Sequence, residues 1–240
     1  MSYKRFSVSA AVWLALASAG CIGPQGAQPC AETADSAAAS DGGGDKGGEE
    51  QLIEAVVPTG TLIWDGTSIS NNGEALSPPG SWFVYSDKSA KGEKMPPSVE
   101  EFMSAVKDGV LHTTGKGYTE WGGGVGTNLI GAPMLTPVDA SKYKGVKFKM
   151  ANKTPMKFLV GTVATMPEFG KCKKCYDHYM KVIKDTSDEP REVTITWGEL
   201  KQTGWGDKVK FDVKTIVALN FTSKDAAPWD FTLDDVAFLE

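Results

Sequence analysis

From Thr61 to Glu240 the chain is cut into short runs of alternating apolar residues by clusters of Gly, Pro, Asn and Asp, and no stretch sustains a long helical period. That cadence constrains the fold more than any other feature. Strands are expected near 61–64, 81–86, 110–114, 126–130, 145–151, 157–163, 192–197, 215–221 and 229–239. In the fifth run Val146, Phe148 and Met150 alternate with Lys147 and Lys149, which gives one buried and one wet face. In the eighth, Val217, Leu219 and Phe221 share one parity. Nine strands without long helices between them predict an all-β fold of two packed antiparallel sheets. The 27 glycines and 13 prolines fit such a turn-rich architecture better than a helical bundle. One short helix is expected, because Ser98-Val99-Glu100-Glu101 has capping-box spacing before Phe102, Met103, Ala105 and Val106.

The first residues read as an address. Lys4 and Arg5 supply a positive start, and the apolar stretch from Phe6 to Ala17 is too short to span a bilayer. It ends in Ser18-Ala19-Gly20-Cys21, small residues directly before a cysteine. This resembles the lipobox of bacterial lipoproteins, with Ser18 where Leu is usual. The resemblance implies that Cys21 is diacylated and becomes the mature N-terminus, in the cell envelope, on the outer membrane or the cell surface. An ordinary secretory signal cleaved nearby is the plainer alternative. Residues 31–50 are mostly Ala, Ser, Gly, Asp and Glu, too polar to offset their ordering entropy. The expected organisation is therefore a signal peptide over 1–20, a lipidated cysteine and disordered tether over 21–59, and a β-sandwich over 60–240. No run of eighteen apolar residues reads as a transmembrane span. A formal net charge of −5 argues against a nucleic-acid partner.

Several segments of the sandwich carry more specific information. They are Trp82-Phe83-Val84-Tyr85-Ser86-Asp87, Gly115-Lys116-Gly117-Tyr118 with Trp121-Gly122-Gly123-Gly124-Val125-Gly126, then Trp197-Gly198-Glu199-Leu200 with Gln202-Thr203-Gly204-Trp205-Gly206, and Trp229 to Val236. In this order they resemble the galactose-binding-domain-like jelly roll of carbohydrate-binding modules and secreted bacterial lipoproteins. The resemblance covers about residues 62–239 and implies a jelly-roll β-sandwich. That superfold hosts sugar binding, protein binding and purely structural roles.

The aromatic residues have their own physics. A sugar ring offers apolar C–H faces to flat aromatic rings and hydroxyls to polar side chains at a rim. Trp64, Trp197 and Trp229 lie inside regular strands and read as packing. Tyr85, Tyr118, Trp121 and Trp205 stand beside turns or glycines and are candidates to contact a ligand, with core or rim packing as the alternative. His178, in the polar-aromatic loop from Cys172 to Tyr179, is a further candidate.

Asp234 and Asp235 sit in a strand that is apolar on both parities, so one carboxylate is expected to face an apolar side, at a cost unless paired. The jelly-roll resemblance implies a structural Ca²⁺ held near the first and last strands, for which Asp65, Asp234 and Asp235 are the matching positions. A salt bridge to lysine or simple exposure is the alternative. Cys172-Lys173-Lys174-Cys175 in an exported chain predicts a local disulfide. Haem attachment would need His where Tyr176 stands, zinc on Cys172, Cys175 and His178 lacks a fourth ligand, and no βαβ context supports a thioredoxin-like site. Cys30 has no evident partner.

Catalytic motifs are wanting. There are two histidines, His112 and His178, and no Gly-x-Ser-x-Gly, phosphate loop or His-Glu-x-x-His. Gly122 to Gly126 leads into a strand and so forms no phosphate cradle. Glu120 and Glu199 are an unspecific carboxylate pair. The expectation is a monomeric, non-catalytic, surface-anchored module that binds a polysaccharide or glycan and is held to a membrane by its N-terminal lipid. Two alternatives stand beside it: a structural or protein-binding surface module with no sugar site, and a glycan hydrolase. Trp121 and Trp205 discriminate, since one shared exposed face favours binding and burial between sheets favours a scaffold.

Overall fold

A computed structural model describes residues 54–131 and 134–240. The expected signal peptide, Cys21, Cys30 and nearly all of the expected tether lie outside the described residues. In chain order the strands are β1 (Leu62–Trp64), β2 (Trp82–Ser86), β3 (Glu93–Met95), β4 (Val106–Lys107), β5 (Val110–Lys116) and β6 (Gly123–Asn128). They continue with β7 (Gly145–Asn152), β8 (Met156–Thr162), β9 (Tyr179–Ile183), β10 (Ser187–Thr196), β11 (Ile216–Ser223) and β12 (Trp229–Leu239). Among the described residues there is no α-helix, and no helix is long and apolar enough to cross a membrane.

The strands form two antiparallel sheets. One runs β10-β7-β12-β5-β3, with β1 added on β12 and β4 on β5, and the other runs β2-β6-β11-β8-β9. From β5 onward, β5, β12, β7 and β10 lie together in the first sheet while β6, β11, β8 and β9 lie together in the second. Alternation of this kind is the jelly-roll winding, in which two Greek keys close a sandwich. The inner faces meet in an aromatic core. Trp82 stacks on Phe102 at 5.8 Å and on Phe221 at 6.1 Å, and Phe148 meets Phe221 edge-on at 4.9 Å. Each fully buried side chain of this size contributes about 1.5–3 kcal/mol.

The nine expected strands are all present, with ends shifted by a few residues; β3, β4 and β9 are additional. The helix expected after Ser98 is a single 3₁₀ turn, Phe102–Ala105, that drops Phe102 into the core. Its continuation is taken by Val106, which pairs with Leu111 as part of β4.

Two bulges change which residues face inward. In β11 the register slips between Ile216 and Ala218, so Ile216 joins Leu219 and Phe221 in the main core. Val217 instead packs in a small second cluster with Met166 and Ala218, against the shared parity expected for it. In β12 the register slips between Asp234 and Ala237, with Asp235 at φ 48°. Phe231 and Leu233 before the slip, and Val236 and Phe238 after it, are all fully or almost fully buried. The strand is apolar on both parities because the extra residue swaps them, and the two aspartates mark the swap. Neither carboxylate has to enter the apolar core.

Candidate functional site

The outer face of the second sheet is a groove of ≈ 860 Å³. Strand alternation sets its floor. On β2, Trp82 enters the core, so Phe83 and Tyr85 take the other face. Tyr85 lies opposite Gly124, which lies opposite Thr222, which lies opposite Lys157. Phe83 likewise lines up with Gly126, Asn220, Leu159 and Met180. A third row joins Asn128, Ala218 and Gly161. Five strands at this spacing make a floor about 19 Å across.

The glycines of β6 keep that floor low. A Cβ on Gly126 would sit 2.4 Å from Asn220 Oδ1 and 2.6 Å from the Phe83 ring, and one on Gly124 would sit 2.0 Å from the Phe221 carbonyl oxygen. Aromatic rings from β2 and amide and hydroxyl groups from β11 therefore meet across a lane without side chains. The run Gly122 to Gly126 is this lane.

Each wall carries an exposed tryptophan held by a buried aspartate. Trp121 is 50% exposed and stacks on Tyr85, ring centres 6.1 Å apart at 25°. Its loop is pinned by Asp87, which accepts the backbone N–H groups of Ser89 at 3.0 Å, Glu120 at 3.1 Å, Trp121 at 3.0 Å and Gly122 at 2.8 Å. Burial acts to raise the Asp87 pKa, but the donors from Ser89, Gly122 and Trp121 outweigh it and hold the carboxyl well below its usual range. Gly122 has φ 91°, a conformation that glycine adopts without strain.

Trp205, 60% exposed, stands on the opposite wall. Asp177 accepts from Thr203 N at 3.0 Å, Thr203 Oγ1 at 2.6 Å, Gly204 N at 2.8 Å and Gly206 N at 3.2 Å, so it fixes the turn that carries this ring. Burial again opposes and these donors again prevail, which lowers the Asp177 pKa. The Cys172–Cys175 disulfide closes the preceding turn. Asp207 accepts the N–H groups of Lys173 at 2.6 Å and Lys174 at 3.2 Å, tying that turn back to the Trp205 loop. Exposed Tyr176 follows the disulfide, and His178 lies half-buried beneath, its Nδ1 hydrogen-bonded to Thr165 Oγ1 at 2.9 Å. Burial pushes the His178 pKa down to about 4, against the charge of Asp177, so the ring is neutral at pH 7.

Of the five residues expected to contact a ligand, Tyr85, Trp121, His178 and Trp205 are brought together here. Tyr118 is not. It is 7% exposed and stacks on Trp229 at 5.4 Å and 22°, so it takes the packing role left open for it. Trp64 and Trp229 are buried, and Trp197 is half-buried with its indole N–H donated to the Tyr143 carbonyl at 2.8 Å. Phe83, Asn128, Leu159, Met180, Asn220 and Thr222 line the groove without having been singled out. Phe83 was within reach of the alternation argument, since it shares its parity with Tyr85.

The three aspartates expected near calcium are occupied by protein donors. Asp235 pairs with Lys149 at 2.6 Å. Asp65 Oδ1 accepts from Thr67 N at 2.9 Å, Thr67 Oγ1 at 2.7 Å and Asn72 Nδ2 at 2.5 Å. Asp234 Oδ1 accepts the N–H of Asp235 at 2.7 Å, and burial with the charges of Asp235 and Asp65 raises its pKa. Among the described residues no group of three or more His, Cys, Asp or Glu is spaced to hold a metal ion. This donor set does not fit a cation that takes six to eight oxygens, and a lysine ammonium balances Asp235.

The carboxylates lining the groove are Glu168 and Asp177, and Glu120 and Glu199 lie outside it. Glu199 caps a 3₁₀ turn and pairs with Lys181 at 3.0 Å.

No protein-family model matches the chain, and no curated protein matches it. Similar solved structures include the family 11 carbohydrate-binding module from Clostridium thermocellum in complex with a β-1,3-1,4-mixed-linked tetrasaccharide. It is 15% identical with a TM-score of 0.46, over 78% of this chain and 97% of that one. The family 11 module of a cellulosomal cellulase of the same organism is 17% identical with a TM-score of 0.45, over 78% and 96%. A family 30 module of another of its cellulosomal cellulases is 15% identical with a TM-score of 0.37, over 78% and 95%.

Proposed function

We propose that the groove binds a polysaccharide or glycan without cleaving it, and that the protein is displayed on the cell envelope through lipid on Cys21. The supporting observation is the placement of two half- to largely exposed tryptophans, drawn from distant parts of the chain, on facing walls of one groove. Between them lies a glycine lane with Asn128, Asn220 and Thr222 at its edges. Sugar C–H faces stack on Trp121, Tyr85 and Trp205 while ring hydroxyls hydrogen-bond to the amides and hydroxyls of the floor. Glycosidase chemistry calls for two free carboxylates across the scissile bond. Here both oxygens of Asp177 are engaged by the Trp205 loop, which leaves Glu168. A single site of this kind supplies about −4 to −8 kcal/mol, the millimolar-to-micromolar range.

Titrating intrinsic tryptophan fluorescence of the purified full chain with a panel of soluble polysaccharides tests the reading. A saturable change with at least one glycan is expected, reduced at least tenfold in affinity in Trp121→Ala and Trp205→Ala proteins that keep the native circular dichroism spectrum. Silence with every glycan would move the module to the structural or protein-binding class.

A further inference from the structure

The wall that carries Trp205 is also where the chain reverses its charge. Residues 171–177 and 201–210, the two loops tied together by Asp177 and Asp207, hold six lysines against two aspartates, within a protein of 25 basic and 30 acidic residues. Lys173, Lys174, Lys208 and Lys210 are all exposed, and their ammonium groups have no carboxylate partner among the described residues. Six lysines elsewhere are paired instead. Lys116, Lys149, Lys153, Lys157, Lys181 and Lys224 each sit within 3.1 Å of an Asp or Glu oxygen. On the two loops the carboxylates are turned to another task, since Asp177 and Asp207 accept backbone N–H groups. Asp207 still feels the charges of Lys173 and Lys174, and Glu168 lies near Tyr176. The balance of the rim remains positive.

The basic rim is continuous with the groove. Lys173 and Lys174 meet Asp207, two residues from Trp205, and Tyr176 follows Lys174 by two. Tyr176, Asp177, Thr203 and Trp205 of these loops line the groove, so a polymer leaving it over Trp205 passes the loops that carry the four lysines. We propose that the groove's ligand is an anionic polysaccharide, whose ring faces lie between the tryptophans and whose carboxylate, sulfate or phosphate substituents are held by Lys173, Lys174, Lys208 and Lys210. This rests on the glycan reading of the groove and names the class of glycan. Lysine suits the task, because a compact charge on a flexible stem accepts anions at varied positions along a polymer, without the fixed fork that arginine imposes.

The sign of the salt dependence separates this from the behaviour of the whole molecule. A net charge of −5 repels a polyanion, so salt acting on net charge alone would strengthen binding. A local lysine rim gives the opposite, because screening falls to a range of about 8 Å at physiological ionic strength and weakens the contacts it makes. The experiment is calorimetric titration of the full chain against soluble polysaccharides paired by backbone, one neutral and one carboxymethylated: hydroxyethyl- against carboxymethyl-cellulose, and dextran and β-1,3-glucan against their carboxymethyl forms. Vesicles containing phosphatidylglycerol serve as a second anionic surface.

In at least one pair the carboxymethylated chain should bind more tightly, with an affinity that falls between 20 mM and 300 mM NaCl. Replacing the four lysines together (Lys173→Gln, Lys174→Gln, Lys208→Gln, Lys210→Gln) should remove that excess, each contributing about two- to fivefold. The backbone hydrogen bonds to Asp207 survive these changes, so the fold is retained. Equal affinity within every pair, affinity that rises with salt, or an excess that persists in the four-lysine variant overturns the proposal. Capture by the vesicles with no excess for any acidic glycan also overturns it and assigns the rim to a membrane surface. Neutral chains that bind and depend on Trp205, without an excess for their acidic partners, defeat this inference and leave the glycan reading standing. Failure of every polysaccharide to bind defeats both.

Discussion

His178 shows how one residue carries the groove's history of burial. Its pKa of about 4 lies well below the 6.5 or so expected in an unfolded chain. Between those values the unfolded state binds a proton that the folded state refuses, so stability falls as pH drops from about 6.5 to about 4 and the loss is complete below that. Asp87 and Asp177 act in a lower window. Their folded pKa values are depressed, so their contribution is present above the unfolded value of about 3.9 and is lost as pH falls through the folded values. Thermal melts at half-unit pH steps should therefore decline in two stages, each of a few °C. His178→Gln should flatten the upper stage and spare the lower; a variant that keeps the upper decline would assign it elsewhere. Sequence alone placed His178 at a ligand but could say nothing of its charge state, which depends on Thr165 and on how deeply the loop sits. The same limit separates Tyr118 from Trp121. They stand three residues apart beside glycines, and what divides them is burial: Tyr118 stacks on Trp229 of the last strand within the core, whereas Trp121 stacks on Tyr85 and keeps half of its surface exposed.

At the scale of elements, alternation was legible wherever a strand kept its register and failed where a bulge intervened. β7 reads off the sequence as Val146, Phe148 and Met150 inward, and so it folds. β11 and β12 carry a slip that a period of two cannot reveal, although in β12 the conflict was visible as apolar residues on both parities. β9 was hidden because it follows directly on the stapled loop and its Lys181 and Met180 weaken the alternation. The floor of the groove needed one more step, the neighbour relations that put Gly124 and Gly126 between Tyr85, Phe83 and β11. What holds its walls was not legible at all, since Asp87 and Asp177 are single residues in loops until their donors are placed. Their effect is testable loop by loop. Asp177→Asn puts an amide where four donors converge, and it should cost about 1–3 kcal/mol of stability and weaken glycan binding about tenfold by releasing Trp205. Asp87→Asn should do the same through Trp121. Urea melts and fluorescence titrations of both proteins check this, and unchanged affinity in a destabilised variant would show that the tryptophans need no such pinning.

For the whole molecule, the question is why a site of modest strength would be useful. One groove at the proposed affinity, roughly millimolar to micromolar, would release its ligand quickly. Many copies held on one surface convert later contacts along the same polymer into local events, and avidity then rises by orders of magnitude without any new contact. On the proposed reading the lipobox-like Ser18-Ala19-Gly20-Cys21 would supply the means, because acyl chains on Cys21 would contribute about 0.8 kcal/mol for each buried CH₂, and two chains hold firmly where one does not. The expected behaviour of Cys21→Ser follows from both parts. It should leave the membrane pellet for the soluble fraction, fail to incorporate labelled palmitate, and lose cell adhesion to an insoluble glycan, while its affinity in solution for a soluble chain stays as it was. A Cys21→Ser protein that still sediments with membranes would remove the lipid from the account. One that detaches yet leaves adhesion intact would separate anchoring from binding, and with it the argument that a weak groove works through its numbers.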